Sequence, residues 1–391
     1  MNAAENVRVN RLPAKTWYHL NVNDRVIEGL RGTVPAEVEL SGDGVVGTAL
    51  GGRTGMALRG ILGGEHVPES GCGADFTEWL RRFARREILI GVQPHVRPVR
   101  VRITGAPSDC SACGYAASCE AGKMADPKED QEGVFQAAEL FIEAEEGEDV
   151  TVLVELFDRD ETEASGEIVP RRIALNVMAR LGRKARVKLV EVSLGKAEDR
   201  LLSSIGVLAG EDAHFELDQI FLGTKESVSG NRIELRGDRA SSETHVAYIV
   251  PEQGRLDLSY VIPQLGKRTD SETTLQGALY EGAEKTLRAT IDFKNGASGS
   301  TGSENEDVLL FGDNVMNRTV PLILCTEEDV QGSHGATIGR IDEEMLFYLE
   351  SRGLSAETAA LMMRNARVEV VLQKILDGRI ASKVLGELKN D

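Results

Sequence analysis

The sequence predicts an all-β solenoid set between a mixed N-terminal segment (residues 1–86) and a C-terminal helical domain (residues 336–391). Three observations point there. Residues 87–335 hold short apolar or alternating runs with almost no helical periodicity, and such strands need neighbours to bury their faces. Hairpin signals are scarce, Asn295-Gly296 being the clear exception. The zone also far exceeds an ordinary sandwich in length, so strand stacked on strand is the simplest way to build one core.

Taken in order, the N-terminal segment mixes glycine-rich loops (Gly42 to Gly64) with one helix candidate at Phe76–Arg86, where Phe76, Trp79, Leu80 and Phe83 recur at helical spacing. In the β zone Val150, Val152, Val154 and Leu156 alternate, as do Ile173, Leu175 and Val177. Leu256, Leu258 and Tyr260 repeat the pattern, then Leu287, Ala289, Ile291 and Phe293. Residues 110–131 are small, polar and glycine-bearing, which reads as a surface loop inserted between two strands. After the last strand, Ile341, Met345, Tyr348 and Leu349 form a helical stripe that Gly353 ends. Ser355 is placed to cap a second helix with Ala359, Met362, Met363, Ala366 and Val370 on one face. Leu361, Val368 and Leu372 make its other side apolar too, which calls for deep burial or a partner. A last helix, Ile380 to Leu388, follows Asp377-Gly378.

The charge balance excludes some functions. With 45 Lys plus Arg against 63 Asp plus Glu, the formal charge is −18, a field that repels nucleic acid and anionic membranes. Met1 to Asn10 lack the apolar run of an export signal, and no stretch approaches the roughly 20 apolar residues of a spanning helix. Five cysteines, an odd number, do not read as a disulfide framework. A cytoplasmic chain, with no nucleic-acid and no membrane partner, is expected.

No catalytic constellation is present. Gly51-Gly52-Arg53-Thr54-Gly55 lacks the lysine that reaches phosphates, so no nucleotide is expected on this chain. Cys110, Cys113 and Cys119 form Cys-x2-Cys-x5-Cys, a spacing that can wrap a metal or cluster with Cys72 or His95 as a fourth ligand. A second well-spaced pair is missing, so a loop with incidental thiols is the preferred reading. Cys325, in the apolar run Pro321–Cys325, reads as a buried inert thiol. His334 lies between the last strand and the first terminal helix, where a lone histidine is more often structural.

The run Asp329-Val-Gln-Gly-Ser-His334-Gly-Ala-Thr-Ile-Gly339, followed by Ile341 to Gly353, closely resembles the C-terminal signature of the SufB/SufD family of iron–sulfur cluster assembly proteins. Asp307-Val-Leu-Leu-Phe-Gly312 and Val320-Pro321-Leu322 resemble the family's last β-rungs, and Leu12-Pro13-Ala-Lys-Thr16-Trp17 its N-terminal stretch. The resemblance is dense at 305–353 and sparse elsewhere. It implies a right-handed parallel β-helix, a complex through the β-helix edge with a SufB-like paralogue (or a homodimer in its absence), and docking of a SufC-type ABC ATPase on the C-terminal helices. The docking residues would be Met345, Tyr348, Leu349, Leu361, Val368 and Leu372. Where the SufB branch has a sulfur-receiving cysteine this chain has Glu306, and Ser333-His334-Gly335 replaces Glu-His-Glu. Both departures point to a SufD-like branch. That implies a non-catalytic scaffold subunit with His334 handling iron or sulfur and a transient cluster shared with the partner. Two alternatives stand beside it: a secreted-type β-helical enzyme acting on polysaccharide, which needs an export signal, and a self-contained metal or cluster carrier through Cys110, Cys113 and Cys119.

Overall fold

The computed structural model describes residues 5–16, 20–42, 45–50, 67–82, 86–90, 98–104, 134–158 and 170–390. Strands β1 (Glu5–Val9) and β2 (Arg25–Leu30) pair antiparallel. Then come β3 (Gly32–Pro35), β4 (Val38–Ser41), β5 (Val45–Leu50), helix α1 (Ala74–Arg82), β6 (Arg86–Ile90) and β7 (Val99–Ile103). The long strands follow: β8 (Val134–Ala144), β9 (Asp149–Leu156), β10 (Arg172–Leu181), β11 (Arg186–Leu194), β12 (Arg200–Ala209), β13 (His214–Leu222), β14 (Glu226–Leu235) and β15 (Ser241–Val250). The series ends with β16 (Arg255–Gln264), β17 (Asp270–Leu279), β18 (Glu284–Phe293), β19 (Ser300–Leu310), β20 (Met316–Cys325) and β21 (Val330–Arg340).

These strands form a parallel β-solenoid. From β8 onward, even-numbered strands stack into one sheet and odd-numbered strands into a second, every neighbouring pair parallel and in register. Each coil contributes one strand to each sheet. Paired residues are 26 positions apart at Ser203 and Ser229 but 32 apart at Leu287 and Thr319, so the repeat has no fixed length. Alternate residues such as Val187, Leu189, Leu217, Leu258 and Leu287 fill the bore and form one continuous core. Asn295-Gly296 is a corner between β18 and β19, which lie in different sheets, and not a hairpin. Several corners use non-glycine residues in the left-handed region: Lys184, Asp212, Arg239 and Arg268, with φ of 60°, 56°, 58° and 54°. Their N–H groups donate to Glu211, Asp238, Lys267 and Ser298 carbonyls of the following coil at 2.8–3.0 Å, which holds a conformation costing about 1–2 kcal/mol per residue.

Both outer faces are covered. The first sheet carries α1 and β1–β2, with Phe76, Trp79, Leu80, Val7 and Ile27 packed on Phe135, Ala174, Leu202 and Val228. Helix α1 is described over Ala74–Arg82 and Arg86 opens β6, so Arg86 belongs to a strand and not to the helix, while residues 83–85, Phe83 of the expected stripe among them, lie outside the described residues. Three C-terminal helices follow β21: α2 (Glu343–Ser351), α3 (Ala356–Leu372) and α4 (Gly378–Asn390). Asp342 and Ser355 cap α2 and α3, accepting from the N–H groups of Glu344 and Thr358. Strand pairing continues to Arg340, past residue 335, where the helical domain was expected to begin just beyond.

Two of the expected docking residues are corrected here. Val368 and Leu372 lie with Val371, Ile375, Ile380, Val384 and Leu388 against Val190, Val192, Ile220, Ala247 and Ile249 of the second sheet. One of the two apolar faces of α3 is therefore spent inside the chain. Cys325 is corrected as well: it is exposed, because β20 is the outermost strand of its sheet.

Candidate functional site

The solenoid ends at β20 and β21, which among the described residues pair on one side only, with β18 and β19. Their other backbone edges are open for pairing. Pro321, which cannot donate to a ladder, is tolerated in such an edge strand. Met316, Ile323 and Ile338 are exposed apolar side chains on the same two strands.

His334 sits in the middle of β21 and is exposed, so it belongs to the last strand itself rather than to a connection after it. It pairs with Glu304 in β19, as Gly332 pairs with Gly302 and Ala336 with Glu306. A Cβ on Gly332 would meet Phe293 and Ile323 at 3.1 Å, which identifies this set of alternate residues as the one turned towards the bore. His334 therefore stands over the open end of the interior, one strand above Glu304.

Beneath it the bore is polar. Lys285 and Glu306, both fully buried, form an ion pair. Glu306 also accepts from Thr319 Oγ1 at 2.6 Å and from Tyr248 Oη at 3.0 Å. Burial, then the neighbouring Glu306, pushes the Glu304 carboxyl up to about 7, with Lys285 opposing. Burial likewise lowers the Lys285 ammonium, its two glutamates partly compensating. Gly277 makes room for Tyr248, since a Cβ there would lie 2.0 Å from its ring. Deeper inside, Gln219 Nε2 donates to Glu191 at 2.6 Å and Tyr260 Oη donates to Gln219 Oε1 at 2.7 Å. Glu306, read from the sequence only as a replaced cysteine, is thus a carboxylate locked to a cation, with no thiol chemistry to offer.

The remaining site expectations fall in several places. Cys110, Cys113, Cys119 and His95 lie outside the described residues. Cys72 is no plausible fourth ligand: it is buried, its Sγ donates to the Ser203 carbonyl at 3.1 Å, and burial pushes the thiol up to about 12. The described residues do hold one His–carboxylate cluster, Glu216, Asp218 and His245 on the outer face of the second sheet. Lys188 Nζ sits 2.7 Å from Glu216 and 2.8 Å from Asp218, so an ammonium already fills it. Of the docking set, Met345 and Tyr348 are exposed on α2, beside Phe347 at 72% exposure, and Leu349 and Leu361 are half-buried.

Sequence reasoning missed the interior charges. Glu304 and Glu306 alternate with Val308 on one face of β19, a signal available in Ser303-Glu-Asn-Glu-Asp-Val308 but masked by carboxylates' usual place in water.

Residues 128–367, more than half of the chain, match the family model described as the SufBD core domain of the SUF system for FeS cluster assembly. The chain belongs to this family. Among curated SufBD relatives, the iron–sulfur cluster assembly protein SufD of Bacillus subtilis is 25% identical over 154 residues, covering 39% of this chain and 35% of that protein. A SufBD family protein of Pyrococcus horikoshii is 28% identical over 199 residues, 50% of this chain and 37% of the relative. A chloroplastic member from Arabidopsis thaliana is 23% identical over 172 residues, 44% and 31% of the two chains. Each match therefore spans about a third of the relative's length. Among the described residues, no helix of this SufBD protein is long and apolar enough to cross a membrane.

Proposed function

We propose that this SufBD protein is a SufD-like, non-catalytic scaffold subunit of an iron–sulfur cluster assembly complex. Its open end pairs with a SufB-like paralogue, or with a second copy where none is made, and its α2 face docks a SufC-type ABC ATPase. The observation that carries this reading is His334, exposed in the middle of an edge strand that pairs with β19 alone among the described residues. Any strand added to β21 comes to lie beside that imidazole, which is a borderline ligand suited to ferrous iron when a partner supplies thiolates. Iron and sulfide are the cargo in this account, held while the two chains meet. The exposed Met345, Phe347 and Tyr348 on α2 support the ATPase contact, since helix surfaces of this kind are covered in use. We place the work in the cytoplasm on the odd cysteine count and the unpaired Cys72 and Cys325.

The test is co-expression with a SufB-like paralogue and its ATPase, followed by iron and acid-labile sulfide analysis of the purified complex. His334→Ala should leave assembly and melting intact and abolish cluster accumulation. Tyr348→Glu should release the ATPase while the two β-helical chains stay together. Normal iron on the His334→Ala complex would defeat the reading.

A further inference from the structure

The chain's charge is −18, yet one cleft is strongly basic. It measures about 560 Å³ and lies between the N-terminal segment and the outer face of the first sheet at β16, β18 and β20. Arg8, Arg11, Lys15, Arg25, Arg288 and Arg318 line it, against the two carboxylates of Asp24 and Asp257.

Most of this charge is only partly spent within the protein. Arg288 is committed: its Nη1 donates to Asp257 at 2.6 Å, and its Nε and Nη2 donate to the carbonyls of Val22 and Asp24. That bond set fixes the N-terminal wall to the sheet, so the cleft is preformed. Arg8 meets Asp24 only at 3.5 Å, and Arg11 reaches out to Asp75 with both side chains about half exposed. Arg25 donates through Nη2 to Glu226 at 3.0 Å while its Nε is buried without an acceptor. Lys15 and Arg318 have no carboxylate partner among the described residues. Cations held this close repel one another, and a donor left unpaired in a half-buried place costs free energy that only an arriving acceptor returns.

We propose that this cleft binds a small anion bearing phosphate, of diphosphate to nucleotide size. The volume falls within the range of small-molecule sites. Guanidinium forks match phosphate oxygens two at a time, and several converging cations suit a ligand of several charges better than a single carboxylate. A basic cleft inside an acidic field also concentrates such an anion locally. Binding here needs no glycine-rich phosphate loop, because side-chain cations replace backbone N–H groups. The smaller neighbouring cleft, about 270 Å³, shares Arg8, Arg11 and Leu12 and extends the same surface towards α1.

Isothermal titration calorimetry on the full chain, at fixed ionic strength, with pyrophosphate in one series and ADP in another, tests this. One-to-one binding is expected, weakened roughly tenfold or more by Arg318→Ala and severalfold by Lys15→Ala without a change in melting temperature. Tighter ADP binding assigns a nucleotide, and equal binding assigns free diphosphate. Arg239→Ala, at an exposed corner where Arg239 pairs with Asp212 and Glu211, should bind as the parent does. No heat with either probe, parent-like binding by Arg318→Ala, or equal weakening by Arg239→Ala would overturn the proposal.

Discussion

Replacing Glu304 by Gln should make the chain more stable at pH 8 and change little at pH 5. The Glu304 carboxyl titrates near 4.5 in the unfolded chain and at about 7 when folded, mainly because burial disfavours its charge. A folded pKa above the unfolded one means that the native state holds a proton the unfolded chain has lost. The associated stability is complete below pH 4.5 and is lost as pH rises through 7. One pKa unit is worth about 1.4 kcal/mol, so ionised Glu304 weakens the folded chain by about 3 kcal/mol above pH 7. Glutamine keeps the shape and removes that titration. Asp158, Glu226 and Asp377, whose carboxyls are held below their ordinary range by paired cations, act in the opposite sense but below about pH 4.5. The interval from pH 5 to 8 is free of them, and groups common to both proteins cancel in the difference. Urea unfolding at pH 5, 6, 7 and 8 should show the gap between variant and parent widening by about 2–3 kcal/mol. A gap that stays constant across that range would refute the reasoning.

Three further outcomes follow from packing and charge. Lys285→Met removes the one basic group bonded to Glu306 among the described residues and should cost about 3–5 kcal/mol, as read by urea midpoint. Gly277→Ala drives a methyl into the Tyr248 ring and should lower stability by about 1–3 kcal/mol, seen as a reduced melting temperature. Val368→Asp buries a charge between α3 and the second sheet; limited proteolysis should then release the C-terminal helices while the far-ultraviolet β signal of the solenoid persists.

Period-two alternation made the strands legible, and their number made a solenoid the economical arrangement. Coil length was not legible, because spacing drifts between 26 positions at Ser203 and Ser229 and 37 at Gln136 and Ile173, and no repeat unit recurs in the letters. Corners were hidden for a related reason: Lys184, Asp212, Arg239 and Arg268 occupy left-handed positions that usually announce themselves as glycine. The cap at Ser355 sat at a readable helix start and that at Asp342 was passed over, and the two-sided apolar pattern of α3 could not say which side the chain itself covers. Val368 and Leu372 went inward while Met362 and Val370 stayed at 51% and 45% exposure. His334 was visible through its surrounding motif. Its neighbour Glu304 was not, since parity within a strand has no meaning until the inward face is known.

The open end has a consequence for dosage. Edge strands recruit other strands with little regard for sequence, and here the backbone edges come with exposed Met316, Ile323 and Ile338. A surplus of this chain over whatever covers that end leaves copies that meet one another through it. Such a contact is isologous: each copy gives and receives the same strands, both edges are consumed, and growth through that end stops at two. Overproduction should therefore fill the cell with symmetric pairs rather than fibres, and those pairs compete with every legitimate partner for the strand that holds His334. Under the pairing proposed above, matching synthesis of the two chains follows from mass action before any regulator is involved.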